Sequence, residues 1–301
     1  MRNWIFLLLF FVPCATFAQD SLRIAMWNVE NYFDTFDDTL TMDDDFTPKG
    51  ASHWTQQRYR EKRNVLSKTI AAMGAPDIMG LCEVENEKVV RELIEATALR
   101  KAKYGFVHFD SPDRRGIDCA LLYRKERFQV LEAGAVSLSI PEKDYYTRDL
   151  LLVVGVTKAK DTLAMIVAHL PSKRGGGPAS QQRERAMRKI ETLRDSLLHH
   201  CREVVVMGDF NHQVAAGEGA GSYKYQGTWE WIDQIFVFER GGMTDWDACG
   251  KETRAFAAEW LLEEDPRWLG NKPFRCFLGG SYHGGVSDHL PIVRSLWLGG
   301  M

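Results

Sequence analysis

At six places in this chain an apolar run meets a hydrogen-bonding or charged side chain. Asn28 follows Leu22 to Trp27, Glu83 follows the run ending Leu81-Cys82, and His169 follows Thr162 to Ala168. Asp209 and Asn211 follow Val204-Val205-Val206-Met207-Gly208, Asp233 sits in Ile232 to Val237, and Asp288-His289 precede Leu290-Pro291-Ile292. A buried strand that ends in a carboxylate, an amide or an imidazole loses stability unless those groups find partners or a ligand. Repetition of one design implies that a sheet edge collects polar groups into a shared site.

The pooled side chains are carboxylates and amides plus two imidazoles, a set that suits Mg²⁺, with Mn²⁺ or Ca²⁺ as alternatives, better than a thiolate-bound metal. No His-Glu-x-x-His, no Gly-x-Ser-x-Gly and no Walker loop is present, because Gly175-Gly176-Gly177 lacks the Lys-Ser/Thr that should follow. What these groups can do together is aim water at a phosphate ester with help from a metal.

The elements that must position them are strands and a few helices. Thr55 is expected to cap a helix to Met73, with Tyr59, Val65, Leu66, Thr69 and Ile70 inward and Arg58, Arg60, Lys62, Arg63 and Lys68 in water. A second helix is expected over Glu87 to Leu99 and the longest over Ser180 to His200. Strands are expected at 22–27, 77–81, 104–108, 117–123, 129–137, 150–157, 162–168, 204–207 and 232–237. Several strands are sequence neighbours without a helix between them, which favours a layered α/β sandwich over a barrel of βα repeats. The acidic stretch Asp34 to Asp45 reads as a solvated loop, with a secondary cation site as the sharper alternative.

Arg2, the apolar run Ile5 to Val12 and the small residues before Ala18 describe a secretory signal peptide over 1–18, followed by one domain over 19–301. The protein is therefore expected to be exported, to the periplasm or beyond, without stable membrane insertion. The mature chain of about 280 residues carries 45% hydrophobic and 26% charged residues in the full sequence, ordinary for an enzyme. A net charge of −3 gives no broad basic surface, which disfavours a static DNA binder more than an enzyme that recruits cations. Cysteines lack Cys-x-x-Cys spacing; Cys82 and Cys119 read as packed hydrophobes, while Cys249 and Cys276 could pair.

Taken in order, Trp27-Asn28-Val29-Glu30-Asn31, Leu81-Cys82-Glu83-Val84, Arg115-Gly116-Ile117-Asp118, His169-Leu170-Pro171-Ser172, Gly208-Asp209-Phe210-Asn211, Ile232-Asp233-Gln234-Ile235 and Ser287-Asp288-His289-Leu290-Pro291 resemble the endonuclease/exonuclease/phosphatase superfamily. The resemblance implies a four-layer α/β sandwich, two central mixed or antiparallel sheets flanked by helices, with the site at the sheet edge. It implies Glu83 as principal Mg²⁺ ligand with Asn28 and Asp288 beside it. Asp209 would handle the attacking water and Asn211 a phosphate oxygen or a metal water. His289, oriented by Asp233, would contact the scissile phosphate, and His169 would resemble the second histidine of pancreatic-type deoxyribonucleases. Cys82 departs from the Gln that many relatives carry.

Beyond that set, Arg115, Lys173 and Arg174 are candidate phosphate contacts or plain loop charges. Tyr223 and Tyr225 are candidate stacking platforms, and Asp118 either supports the site or is a satisfied core carboxylate. His212 is expected only at the pocket rim. The expected activity is hydrolysis of phosphate esters, foremost nucleic acid, by a monomer. Alternatives are a phospholipid head group such as sphingomyelin, an inositol phosphate, or a non-catalytic binding protein. A phospholipid enzyme should carry an exposed aromatic hairpin, which the sequence does not display clearly.

Overall fold

The computed structural model describes residues 21–173 and 176–298. The signal-peptide segment and Arg174 lie outside them. Along the chain run β1 (Ser21–Tyr32), α1 (Gln56–Ala72), β2 (Ile78–Val84), α2 (Glu87–Glu95), β3 (Tyr104–His108), β4 (Asp118–Arg124), β5 (Phe128–Val136), β6 (Leu150–Thr157), β7 (Thr162–His169), α3 (Gly176–Leu197) and β8 (Glu203–Asp209). There follow β9 (Tyr223–Tyr225), β10 (Thr228–Glu230), β11 (Asp233–Glu239), α4 (Trp246–Gly250), β12 (Arg254–Ala255), β13 (Leu262–Glu264), β14 (Asn271–Pro273), β15 (Phe277–Leu278), β16 (Ser281–Tyr282) and β17 (Ile292–Trp297).

One sheet has the order β12-β17-β1-β2-β4-β3 and the other β11-β8-β7-β6-β5. Both are mixed, and both contain one parallel pair, β1 with β2 and β7 with β8. Parallel neighbours need a long crossover, supplied by α1 in the first case and α3 in the second. The strands alternate faces with period two. In β1, Leu22, Ile24 and Met26 pack towards the second sheet, while Ala25, Trp27 and Val29 pack under α1 and α2. In β8, Val205 and Met207 join the inter-sheet core and Val204 and Val206 pack with Ala186 and Ile190 of α3. The four layers helix, sheet, sheet, helix are the expected sandwich.

This topology fixes where the site must be. The carboxyl ends of β1, β2, β7 and β8 and the starts of their antiparallel neighbours β11 and β17 fall on one edge. In register, Asp209 faces His169 on one side and Asp233 on the other. The pair Met26–Ile292 places Asn28 and His289 just past the same edge of the other sheet.

Some local expectations change. Thr55 does cap α1, its hydroxyl accepting from the Arg58 N–H, but Lys62 points inward, buried, and donates to the carbonyl of Glu30. The acidic stretch is not wholly solvated: Asp34 and Asp43 are buried, the first paired with Lys88 at 2.7 Å and the second accepting the Asp38 N–H. All five described cysteines are free. Cys249 packs in the layer under α4 and Cys276 in the layer of the other sheet under α1, so the expected pairing is ruled out by the layers between them.

Candidate active site

Two backbone devices shape the edge. Gly208 takes φ +153°, and a Cβ there would meet the Ala168 carbonyl oxygen at 1.8 Å, so only glycine allows β7 and β8 to approach this closely before they deliver His169 and Asp209. Glu83 takes φ +64° at a register shift between Cys82 and Val84. Strict alternation would turn its side chain towards the helices with Leu81; the bulge turns it into the edge instead. β1 has its own register shift after Asn28, with Glu30 and Asn31 at φ +48° and +52°.

The side chains interlock. Asn28 donates from Nδ2 to Asp209 Oδ2 at 3.0 Å and to Glu83 Oε1 at 3.4 Å, while its Oδ1 accepts the Glu30 N–H at 3.0 Å. Glu83 Oε2 accepts the Asn31 N–H at 2.8 Å, and Asp209 Oδ1 accepts the Asn211 N–H at 2.8 Å. His169 Nε2 lies 3.5 Å from Asp209 and 3.8 Å from Glu83. Asp233 Oδ2 accepts both the Ser222 hydroxyl at 2.6 Å and His289 Nδ1 at 2.7 Å, which puts the proton on Nδ1 and turns Nε2 towards Asp209, 3.9 Å away. Ser287 supports the histidine from behind, its hydroxyl donating to the Asn28 carbonyl and accepting the His289 N–H.

The two histidines are opposites. Burial drives His169 well below the usual imidazole value, and the charges of Arg148, Arg115 and His289 push the same way, so it is neutral. Burial also pulls His289 down, but Asp233, its hydrogen bond, Asp209 and Asp288 outweigh that and hold the ring well above its ordinary value, charged. Burial pushes the Asp209 carboxyl up to about 7; His289 opposes the rise, Asp233 adds to it, and bonds from Asn211 and Asn28 oppose it. A carboxylate with its pKa near neutrality beside a fixed imidazolium is matched to taking and giving protons.

Asn28, Glu83, His169, Asp209 and His289 line a cleft of about 650 Å³ together with Arg115, Lys173, Tyr223, Tyr225, Asn211 and Asp288, with Asp233 buried behind His289. Tyr223 lies against His289, ring centroids 4.9 Å apart, and Lys173 is paired with Glu230. Asp118 is not in this wall: Ser111 donates to it through N–H and hydroxyl, and it lies near His108. His212 does not line the cleft either, its Nδ1 lying 2.7 Å from the Phe210 carbonyl oxygen.

The donor set fits a hard cation at Glu83 and Asp209. Among the described residues neither carboxylate has a lysine or arginine partner, and both are held by neutral amides. The set is narrower than expected. Asn28 presents its nitrogen to the carboxylates and spends its oxygen on Glu30, and Asp288 is bonded by Arg275 at 2.8 Å. Sequence reasoning missed Arg275, and missed Glu30, whose carboxylate accepts the Cys276 and Phe277 N–H groups and pins that loop to the edge. It also missed Arg148, which binds Asp113 at 3.0 Å and the carbonyls of His169 and Leu170. None of the three stands in an apolar run that stops, so no local signal marked them.

The family model for the endonuclease/exonuclease/phosphatase family matches residues 23–217 and 213–297. The chain belongs to that family. Solved structures repeat the fold at low identity. An endonuclease/exonuclease/phosphatase from Bacteroides vulgatus is 19% identical, with TM-score 0.53 over 93% of this chain and all of that one. D. rerio TDP2, solved with a single-strand DNA product, is 18% identical, with TM-score 0.52 over 91% of this chain and 98% of that one. A mannosyl-6-phosphatase from Bacteroides thetaiotaomicron is 15% identical, with TM-score 0.52 over 92% and 100%. No curated protein matches by sequence. As a family member the chain has the fold of phosphoester hydrolases, and its carboxylates and histidines offer places for a divalent metal.

Proposed function

We propose that the protein is an exported, Mg²⁺-dependent phosphodiesterase acting on nucleic acid. The observation that carries the hydrolytic reading is charged His289, held from behind by Asp233, facing Asp209 beside Glu83 in one cleft. A cation held by Glu83 and Asp209 would polarise the phosphoryl oxygen and draw off developing charge. The chain's own groups do the rest. Asp209, fixed through Oδ1 by the Asn211 N–H, orients and deprotonates the water. His289 donates from Nε2 to a phosphoryl oxygen, its tautomer fixed by Asp233. Neutral His169 lies on the opposite side of Asp209, where it hydrogen-bonds the phosphate or the departing oxygen. Asn211 is tied to the Leu170 carbonyl through Nδ2 at 2.8 Å, leaving its Oδ1 for a water.

Support for nucleic acid is the row Tyr223, Tyr225, Arg115 and Lys173 along the cleft, stacking faces and cations for bases and phosphates, and the DNA-bound TDP2 neighbour. Export rests on the residue pattern of 1–18. One observation favours a second reading. Hairpin β13–β14 is an exposed aromatic hairpin that the sequence did not display: Trp268 and Leu269 at its tip are 46% and 79% exposed, and Lys224 of β9 ties it beside the cleft through Asp265 and the Leu269 carbonyl. Such a tip suits a phospholipid substrate at a membrane surface.

The test is turnover of the purified mature protein on single-stranded DNA, RNA, sphingomyelin vesicles, a sugar phosphate and bis-nitrophenyl phosphate, with and without chelator. The expected result is cleavage of nucleic acid, abolished by EDTA and restored by Mg²⁺. Asp209→Ala and His289→Ala should each lose about a hundredfold or more in rate while remaining folded. Chelator-resistant hydrolysis, or wild-type rates in either variant, would overturn the mechanism. Preferred turnover of vesicles, lost in Trp268→Ser with Leu269→Ser, would move the substrate to phospholipid.

A further inference from the structure

His108, at the end of β3, Asp110 in the loop after it, and Asp118, at the start of β4, each offer a ligand atom, and these atoms lie within 4.8 Å of one another. None of the three lies among the hydrolytic groups. His108 is an imidazole with no adequate protein partner: its side chain is 2% exposed, and Nε2 is buried with no hydrogen bond. Nε2 stands 3.9 Å from Asp118 Oδ2, and Nδ1 stands 3.8 Å from Asp110 Oδ1. Both gaps are too long for a hydrogen bond. One ion takes only one ring nitrogen: the Nε2–Asp118 gap of 3.9 Å has the span of roughly 3–4 Å between ligands that share an ion at about 2.0–2.2 Å, and Asp110 completes the group, one ligand atom from each residue lying within 4.8 Å of the others.

The surroundings agree with cation binding. Burial lowers the His108 imidazole, so its lone pair is available, and burial is the chief cause of the rise of the Asp118 carboxyl to about 7. Asp118 spends Oδ1 on Ser111 and turns Oδ2 towards the unpartnered Nε2, an arrangement that a divalent ion would satisfy. Asp110 is 85% exposed in its side chain and gives an ion a route from solvent. The mixture of one imidazole and two carboxylates selects the zinc class of ion (Zn²⁺, Co²⁺) over Mg²⁺, which holds to oxygen and keeps its water.

We infer that His108, Asp110 and Asp118 form a second divalent-cation site, of the zinc class, that staples the loop 109–117 to β3 and β4. The loop matters because it carries two cleft residues. Asp113 accepts from Arg148, which in turn holds the carbonyls of His169 and Leu170, and Arg115 lines the cleft. A closed staple would fix the substrate-facing wall without supplying any reacting group. The site does not depend on the identity of the substrate.

The full-length mature protein, freed of metal with chelator, is titrated with Co²⁺ and followed by visible absorption, a readout independent of turnover. Because the cleft also binds cations, the same titration is run on Glu83→Gln. The expected result is an absorbing Co²⁺ equivalent that survives in Glu83→Gln and is weakened about tenfold or more in His108→Gln and in Asp110→Asn. Asp110 is exposed, so Asp110→Asn remains folded and keeps the test sharp should His108→Gln unfold. Zn²⁺ should displace the Co²⁺ signal, while millimolar Mg²⁺ should leave it. Equal Co²⁺ affinity and stoichiometry in Asp110→Asn and the parent, or a signal lost only in Glu83→Gln, would overturn the assignment.

Discussion

Replacing Gly208 by Ala tests whether the close contact of β7 and β8 builds the site. The new Cβ would lie 1.8 Å from the Ala168 carbonyl oxygen and 2.7 Å from its carbon, both backbone atoms that no rotamer can move. Against the 3.4 Å at which ordinary contact begins, the shortfall is about 1.6 Å, a third of the roughly 4.8 Å spacing between paired strands. Overpacking of this kind and the φ of +153° together cost about 3 kcal/mol or more. In a chain of this size that is roughly 6–12 °C in Tm. The next pair along the ladder is His169 with Asp209, whose side chains lie 3.5 Å apart, so a shift of an ångström there should cost about a hundredfold in rate. Calorimetry and initial rates on bis-nitrophenyl phosphate at 25 °C, with near-UV dichroism to confirm folding, read the two effects separately. Gly134→Ala is the control, since a Cβ there meets nothing within 4 Å and should change neither. A Gly208→Ala protein within 2 °C of the parent Tm (about 1 kcal/mol at this size) and within about twofold of its rate, short of the hundredfold expected of a misplaced pair, would refute the reasoning.

Arg148→Ala should destabilise by about 3–5 kcal/mol, because it leaves the buried Asp113 carboxylate without its guanidinium partner and takes a donor from the His169 and Leu170 carbonyls, although Asn211 still reaches Leu170 and the Arg115 N–H still reaches Asp113; urea unfolding showing a loss below about 1 kcal/mol, the worth of one ordinary hydrogen bond, would contradict it. Glu203, at the start of β8, has its carboxyl pushed up to about 7, by burial first, with Arg202 opposing. Its folded value exceeds its unfolded one, so its contribution is full below the unfolded value and is lost as pH rises through about 7. Glu203→Gln should therefore narrow the fall in Tm between acid and mildly alkaline pH, and an unchanged Tm–pH curve would count against that burial.

The sandwich was legible because β1 and β8 are apolar runs and because the polar strand ends Asn28, His169 and Asp209 stop such runs where a packed strand has no use for polarity. Asp233 and His289 were legible for the same reason. Glu83 was legible in position but not in direction, since a left-handed residue at a bulge, with no glycine to mark it, decides which layer the side chain enters. Lys62 was misplaced because helical spacing assigns a charge to water, whereas the Glu30 carbonyl receives it inside. Arg148 and Arg275 were invisible because their partners are brought near only by strand register. The β13–β14 hairpin is built from three-residue strands, too short for periodicity to register.

The site draws on both sheets: Asn28, Glu83 and His289 come from one, His169, Asp209 and Asp233 from the other. No half of the chain contains a working set, and the last part to arrive is decisive. β1, the first described strand, pairs with β17, the last described, so Leu22 meets Leu296 only once β17 has been made. Contacts this distant in sequence slow folding and delay it until β17 is available. On the proposed function, a chain that lacks β17 is hydrolytically silent, and the onset of hydrolysis reports the docking of the two sheets.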